Sequence, residues 1–143
     1  MTTQLQAQWI VGFVDGEGCF HISITKNDTM TLKKQVIPEF VVVQHKRDVQ
    51  LLHALKEYFG CGVVRDNRES GGNRKCYRVR GHKHLKEIII PFFEKHKLRT
   101  KKRIDFEKFR DVILLMAQGK HLTQEGLDEI YSIKEQIVKI KAT

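Results

Sequence analysis

Asp15 and Glu17 are the strongest candidates for a chemical role. These two carboxylates stand at the end of an apolar run at residues 9–14. A helix that is apolar all round expects packing partners on more than one side. Its C-terminal end carries partial negative charge, so carboxylates there are unfavourable without a compensating positive charge. A divalent cation prefers oxygen ligands and would supply that charge. The run therefore predicts a packed helix that ends at a metal-binding carboxylate.

Composition restricts the class of protein that carries this helix. The chain has 143 residues, the usual size of a single domain, and 26 Lys and Arg against 17 Asp and Glu give a net charge of +9. Such an excess favours a polyanionic partner, with nucleic acid ahead of an anionic membrane surface. We expect a soluble protein, because no stretch is long and apolar enough to span a bilayer and no signal peptide is apparent. The three cysteines lack metal-ligand or disulfide spacing, which suggests a reducing intracellular compartment.

Hydrophobic periodicity predicts the elements that position the acidic residues. Alternation with period two indicates two hairpins, and Pro38 predicts a bulge or an edge in the second strand. Asp48 is a candidate N-cap for a helix that Gly60 stops. The expected order is the first helix, strands at 19–26 and 33–44, a helix to residue 59, strands at 62–67 and 75–80, and helices at 84–95 (interrupted near Pro91), 100–118 and 123–141.

The run W-I-V-G-F-V-D-G-E-G at residues 9–18 resembles the signature helix of LAGLIDADG homing endonucleases. The resemblance extends to about Phe109. It implies an α+β fold of the αββαββα type, in which four antiparallel strands form a saddle-shaped sheet over double-stranded DNA, with additional C-terminal helices. It also implies that Glu17 binds metal beside Gly16, with Mg²⁺ as the cofactor and Mn²⁺ or Ca²⁺ as possible substitutes. An ordinary buried helix with a polar last turn is the alternative.

Residues 60–143 contain no second copy of this run, so we expect the chain to act as a single-domain homodimer. In a two-fold interface each patch meets its own copy. Two Glu17 side chains would then approach each other and repel strongly unless metal lies between them. The resemblance implies a staggered double-strand break in a long, roughly palindromic target. The predicted dimer interface consists of Trp9, Val11, Gly12, Asp15 and Gly16.

Further catalytic residues come from the resemblance alone. The family places a glutamine near the end of the second strand and a lysine near the start of a later helix, where both support the water network at the scissile phosphate. Gln44 matches the glutamine by position. Lys101 and Lys102 both match the lysine, and the sequence does not decide between them.

The outward face of the strands predicts the DNA contacts. Arginine pairs with guanine, and Gln or Asn with adenine, in the major groove, so Arg65, Arg78, Arg80, Gln35 and Asn67 are the expected base readers. A solvated sheet face is the alternative for the whole set, which also includes His21, Ser23, Thr25, Ile37, Glu39, Val41 and Val63. Strand ends and loops supply expected phosphate contacts, which set affinity without specifying sequence: Lys33, Lys34, Lys46, Arg47, Arg68, Arg74 and Lys75.

Two other functions are compatible with parts of the sequence. A cleavage-deficient module of the same fold, either a maturase that binds intron RNA or a DNA-binding regulator, would keep the helix and the strands. Intact Glu17, Gln44 and the lysine pair favour the enzyme. A generic RNA or membrane binder explains the charge but not the signature helix. The host compartment, bacterial cytoplasm or an organelle, stays open.

Overall fold

A four-stranded antiparallel sheet with helices packed on one face forms the centre of the molecule. The computed structural model describes residues 4–67 and 71–142, with the side chains of the last helix described as far as Ile137. The elements are α1 (Ala7–Glu17), β1 (Gly18–Lys26), β2 (Lys34–His45), α2 (Val49–Phe59), β3 (Val63–Asp66), β4 (Arg74–Val79), α3 (His82–His84), a π-helical turn (Leu85–Ile89), α4 (Ile90–Lys95), α5 (Lys102–Ala117) and α6 (Gln124–Ala142). The α+β fold class and the αββαββα order are confirmed.

The sheet has the order β1-β2-β4-β3, so each hairpin supplies one central strand and one edge strand. β1 pairs with β2 in one unbroken register, from Gly18 opposite Val42 to Lys26 opposite Lys34. Of the two alternatives that the sequence predicts at Pro38, a bulge or an edge, the structure shows the edge. β4 pairs with β2 only from Phe40 onward, so β2 has a single neighbour at Pro38.

An aromatic core fixes the sheet to the helices. Phe20 and Phe40 are fully buried and stack at a centroid distance of 5.2 Å. Phe93 of α4 and Phe109 of α5 contact Phe20 at 5.6 and 5.4 Å. Because even-numbered residues of β1 and β2 face this core, the odd-numbered residues must face outward.

Two predicted helix boundaries differ in detail. Asp48 precedes α2, but its side chain makes no capping hydrogen bond. Instead, His45 Nδ1 accepts from the Arg47 N–H at 3.2 Å at the start of a 3₁₀ turn (Lys46–Asp48). The interruption expected near Pro91 takes the form of the π-helical turn directly before α4. No helix in the described ranges combines the length and the apolar character needed to cross a lipid bilayer.

Candidate active site and nucleic-acid surface

Helix α1 buries one side and exposes a surface rich in glycine. Ile10, Val11 and Val14 are at most 2% exposed and pack in the core of their own chain. Because Val11 packs within its own chain, we leave it out of the proposed dimer interface. Trp9 is 42% exposed, and Gly12 and Gly16 are exposed along the same side of the helix. We call Trp9, Gly12 and Gly16 the α1 glycine surface.

The chain itself gives no reason for glycine at two of these positions. A Cβ built on Gly12 or Gly16 meets no atom within 4 Å. Glycine inside a helix costs roughly 1 kcal/mol relative to alanine, so it is usually retained where another backbone must approach closely. Trp9 stacks on Phe13 at 4.8 Å between ring centroids, which gives the surface an aromatic border. Contacts among the described residues therefore do not explain glycine at these two positions.

Asp15 has a structural role within its own chain. Its carboxylate accepts the backbone N–H groups of Arg99 at 2.9 Å and Thr100 at 3.1 Å, and the Thr100 hydroxyl at 2.7 Å. Partial burial opposes ionisation, but these hydrogen bonds and the charge of Lys102 outweigh it and hold the pKa of Asp15 below its ordinary value of 3.8. Because these bonds commit the carboxylate to its own chain, we replace its predicted place in the dimer interface by this capping role.

Asp15→Ala should lower the free energy of unfolding at neutral pH by about 1 kcal/mol, the usual loss for a capping side chain. Since folding lowers the pKa of Asp15, its contribution is present above pH 3.8 and is lost as the pH falls through the lower folded-state value. Urea unfolding from pH 7 to pH 3 should show the deficit of the variant shrinking in acid. Asp48→Ala is the matched control, because Asp48 makes no capping bond. Equal losses in both variants would contradict the assignment.

Lys102 lies at the end of the signature helix. Its Nζ donates to the carbonyl oxygen of Gly18, the residue directly after Glu17. Gly18 is required by its surroundings, because a Cβ there would lie 2.6 Å from Val14 Cγ1. Lys101 is exposed and precedes α5 as its N-cap residue. Of the two candidate lysines, the structure brings Lys102 to the carboxylate end of α1.

Gln44 lies at the end of the sheet where α1 stops and β1 begins. Gly18 begins β1 opposite Val42, and Gln44 is two residues further along β2. β2 therefore extends past the start of β1, where α1 ends at Glu17. Gln44 is half-buried and pairs with Lys75 of β4. The fold thus gathers Glu17, Gln44 and Lys102 from three separate parts of the chain.

The donor atoms at this end of α1 suit a hard divalent cation. Glu17 is exposed and offers a carboxylate, and the last carbonyl groups of a helix, including that of Gly16, have no partner within the helix. Oxygen donors at the negative end of a helix are appropriate for Mg²⁺. Within the described ranges, no three His, Cys, Asp or Glu side chains gather into a metal-binding group.

The outward face of the sheet forms a hollow of about 600 Å³, which we call the sheet hollow. The register places the predicted contacts side by side, with His21 opposite Glu39 and Val41 opposite Arg78. Sequence reasoning missed four lining residues, although extending the alternation along each strand would have found most of them. The full lining is Cys19, His21, Glu39, Val41, Val43, Arg65, Asp66, Asn67, Cys76, Arg78 and Arg80.

Several predicted DNA contacts already have partners within the chain. Arg80 Nε donates to Glu39 Oε2 at 2.8 Å, and the Glu39 side chain is only 15% exposed. Glu39 is therefore better described as a partner of Arg80 than as an independent DNA contact. Ser23 Oγ lies 3.0 Å from His21 Nε2.

At the edge of this face, the Gln35 amide oxygen accepts from Asn27 at 3.0 Å. Lys33 Nζ donates to the Asp28 carbonyl at 3.1 Å.

Other predicted contacts differ in exposure. Ile37 and Val41 are half-buried, and Val63 is 45% exposed. Lys75, an expected phosphate contact, forms an ion pair with Asp66 within the chain. Arg68 lies outside the described residues. The exposed members of the predicted set are Thr25, Lys33, Lys34, Gln35, Lys46, Arg47, Val63, Arg65, Arg74 and Arg80.

Comparison with known proteins identifies the family. The model of the LAGLIDADG endonuclease family matches residues 10–113. A probable intron-encoded endonuclease of Neurospora crassa is 30% identical over 131 residues, which are 90% of this chain and 26% of the relative. A similar protein of Schizosaccharomyces pombe is 36% identical over 134 residues, 94% of this chain and 34% of the relative. The chain thus spans about a quarter to a third of the length of these curated relatives.

Solved structures agree. The homing endonuclease I-TnaI superposes with a TM-score of 0.90 at 50% identity, covering 94% of this chain and 89% of that one. The LAGLIDADG homing endonuclease I-LtrWI bound to target DNA superposes with a TM-score of 0.89 at 33% identity. The match covers 94% of this chain and 44% of that one. With a matched signature helix, a matched sheet and relatives at this identity, the chain belongs to the LAGLIDADG endonuclease family.

Proposed function

We propose that this chain is a sequence-specific DNA endonuclease that makes a staggered double-strand break in a long, roughly palindromic target, as a homodimer with Mg²⁺. The observation that carries the proposal is the convergence of Glu17, Gln44 and Lys102 at one end of the sheet, beside the α1 glycine surface. The lining of the sheet hollow beside them includes three arginines, together with Glu39 and Asp66. Support comes from I-LtrWI, a family member described as bound to its target DNA.

The α1 glycine surface supports the homodimer. It is apolar or glycine, it is exposed, and its glycines have free space above them. A second α1 packed against it across a two-fold axis would bring two Glu17 carboxylates together at the helix ends. That pair supplies the ligands that a single chain lacks. I-TnaI, a homing endonuclease, is matched by this chain over 89% of its own length.

Each residue at the helix end has a chemical role in the proposal. Bound Mg²⁺ supplies charge stabilisation at the phosphate and lowers the pKa of an attacking water. Glu17 and the Gly16 carbonyl hold the cation. The Gln44 amide orients water by hydrogen bonding, and Lys102 Nζ places positive charge beside the scissile phosphate. Exposed Lys101 contacts the phosphate backbone.

The three free cysteines are suited to a reducing compartment, either bacterial cytoplasm or an organelle.

Incubating the protein with a randomised DNA duplex library and Mg²⁺, and sequencing the cut ends, tests the function. We expect cleavage of both strands with a constant stagger and a two-fold symmetric sequence preference. Binding without cleavage would instead assign the chain to a maturase or a DNA-binding regulator. Cleavage without sequence preference would contradict the proposed role of the sheet hollow.

The Glu39–Arg80 pair predicts a specific pattern in the target. Glu39 engages Nε of Arg80, which leaves both terminal nitrogens free for the O6 and N7 atoms of guanine. Arg80→Ala should weaken the free energy of DNA binding by about 1–3 kcal/mol and relax the base preference at one symmetric pair of positions. Glu39→Ala should relax the base preference at the same positions, because Arg80 then loses the hydrogen bond that orients its side chain.

Arg47→Ala is the control, since this exposed loop residue should weaken binding to every sequence alike. Base-preference profiles of the three variants provide the measurement. A Glu39→Ala effect at positions other than those of Arg80→Ala would show that the two residues act independently.

A further inference from the structure

Asp105 is the one buried charged side chain in the described ranges, and it lies outside the set of proposed catalytic residues. It is 3% exposed. It occupies the first turn of α5 and belongs to the face that α5 buries, together with Phe106, Phe109, Val112 and Ile113. Such spacing forms the stripe by which an amphipathic helix packs on a core. A carboxylate in this stripe needs a physical reason, because burying a charge is costly unless other groups compensate it.

Lys102 continues this stripe by one turn toward the N-terminus of α5. It is half-buried, and it precedes Asp105 by three residues and Phe106 by four. Residues with these spacings are neighbours on a helix surface, with Cβ atoms about 5–6 Å apart. Two polar residues of opposite charge are therefore adjacent in an otherwise apolar stripe.

Contacts with β1 place Asp105 beside the candidate active site. Lys102 Nζ donates to the Gly18 carbonyl, and the Phe106 ring lies 5.3 Å from that of Phe20. The first turns of α5 therefore run along the start of β1, and Asp105 lies on α5 between these two contacts. The buried carboxylate is thus part of the junction at which α5 meets the end of α1.

Helix electrostatics alone do not explain why an acid is buried here. The N-terminal turn of a helix carries partial positive charge, so a carboxylate in the first turn of α5 is favourable. Arg103 and Ile104 are exposed positions of the same turn, and an acid at either would give this stabilisation without desolvation. The chain instead buries its carboxylate next to Lys102. Surroundings of low dielectric constant strengthen the attraction between the two charges.

We propose that Asp105 is a positioning residue for cleavage, whose buried carboxylate holds the Lys102 ammonium group against the Gly18 carbonyl, where the scissile phosphate is bound. A lysine side chain is flexible, so an unrestrained ammonium group would lose conformational entropy when it engages the phosphate. A fixed opposite charge restricts that motion before DNA arrives, which preorganises the site. The proposal rests on the proposed function in assigning Lys102 to the phosphate.

Asp105→Asn tests the proposal, because it keeps the shape of the side chain and removes its charge. Asp111→Asn makes the same change six residues further along α5, where Asp111 is half-buried beside Arg110, and is the matched control. Single-turnover cleavage at saturating protein with Mg²⁺ gives the rate of the chemical step, and titration with Ca²⁺ gives DNA affinity. We expect Asp105→Asn to slow cleavage about tenfold or more, since misplacing a catalytic group by about 1 Å can cost about a hundredfold. DNA affinity should stay unchanged, and the control should change neither quantity.

A double-mutant cycle with Lys102→Gln separates positioning from a structural role. In the Lys102→Gln protein, Asp105→Asn should have no further effect on the cleavage rate, because the group that Asp105 positions is gone. A structural role would instead lower the thermal unfolding midpoint and slow cleavage by the same factor in both backgrounds. Circular dichroism checks folding. Asp105→Ser, which is smaller and still polar, replaces Asp105→Asn in the cycle if the asparagine variant fails to fold.

The order of the Lys102 ammonium group tests positioning without cleavage. In protein labelled with ¹⁵N-lysine, free of DNA and metal, NMR relaxation should show Lys102 Nζ to be more rigid than that of exposed Lys101. Asp105→Asn should remove this difference. Unchanged order of Lys102 in the variant, independent effects in the double-mutant cycle, or a loss confined to DNA affinity would overturn the proposal. A wild type that does not cleave DNA would refute the proposed function, whereas the NMR result would still decide whether Asp105 holds Lys102.

Discussion

Glu17→Gln is expected to abolish DNA cleavage while leaving DNA binding intact. The substitution keeps the shape of the side chain but removes the only signature carboxylate not engaged within its own chain, because Asp15 already caps Arg99 and Thr100. Removing a single hydrogen-bond donor from an active site costs about 10²–10³ in rate. Loss of a metal-binding charge should cost about a thousandfold or more.

Cleavage and binding must be measured separately on the same duplex, with Mg²⁺ for the first and Ca²⁺ for the second. Glu57→Gln is the matched control, since Glu57 is an exposed acid on α2 away from the signature helix. We expect the control to cleave like the wild type. A Glu17→Gln variant with undiminished cleavage would remove Glu17 from the site, and a variant that loses binding would point to a structural role.

Gly12→Arg is expected to separate folding from assembly. A Cβ at Gly12 meets nothing within 4 Å in its own chain, and arginine is a better helix former than glycine by roughly 1 kcal/mol. The single chain should therefore fold with equal or greater stability. Across a two-fold axis, however, two long cationic side chains would meet where two backbones must approach. Dimerisation and cleavage should be lost together.

Sedimentation equilibrium and thermal unfolding check both parts of this prediction. Gln50→Arg introduces the same side chain on an exposed position of α2 and should change neither the association state nor cleavage. A Gly12→Arg protein that still sediments as a dimer would place the interface elsewhere. A wild type that cleaves both strands as a monomer would refute the homodimer itself.

Local periodicity predicts the fold better than it predicts the site. Alternation placed His21 and Glu39, and Val41 and Arg78, on one face, because side chains in a strand alternate strictly and the register preserves this across the sheet. The burial of Val11 is not predictable in this way, because a helix that is apolar all round contains no signal for which side faces its own core.

The remaining features depend on contacts between distant parts of the chain. Asp15 is 84 positions from Arg99, and no local pattern links a carboxylate to backbone groups so far away. The choice between Lys101 and Lys102 has the same origin, since it depends on where α5 meets the end of α1. The Glu39–Arg80 pair joins residues 41 positions apart across two strands.

The bonds from Asp15 to Arg99 and Thr100 have a consequence for the cell that makes this protein. They fasten the start of α5 to the end of α1, so Glu17 and Lys102 come together only after the ribosome has delivered α5. An unfinished or truncated product that ends before α5 carries the metal-binding carboxylate without its lysine. Under the proposed function, such fragments lack part of the cleavage site, and the capacity to break DNA arises only after α5 has packed against the end of α1.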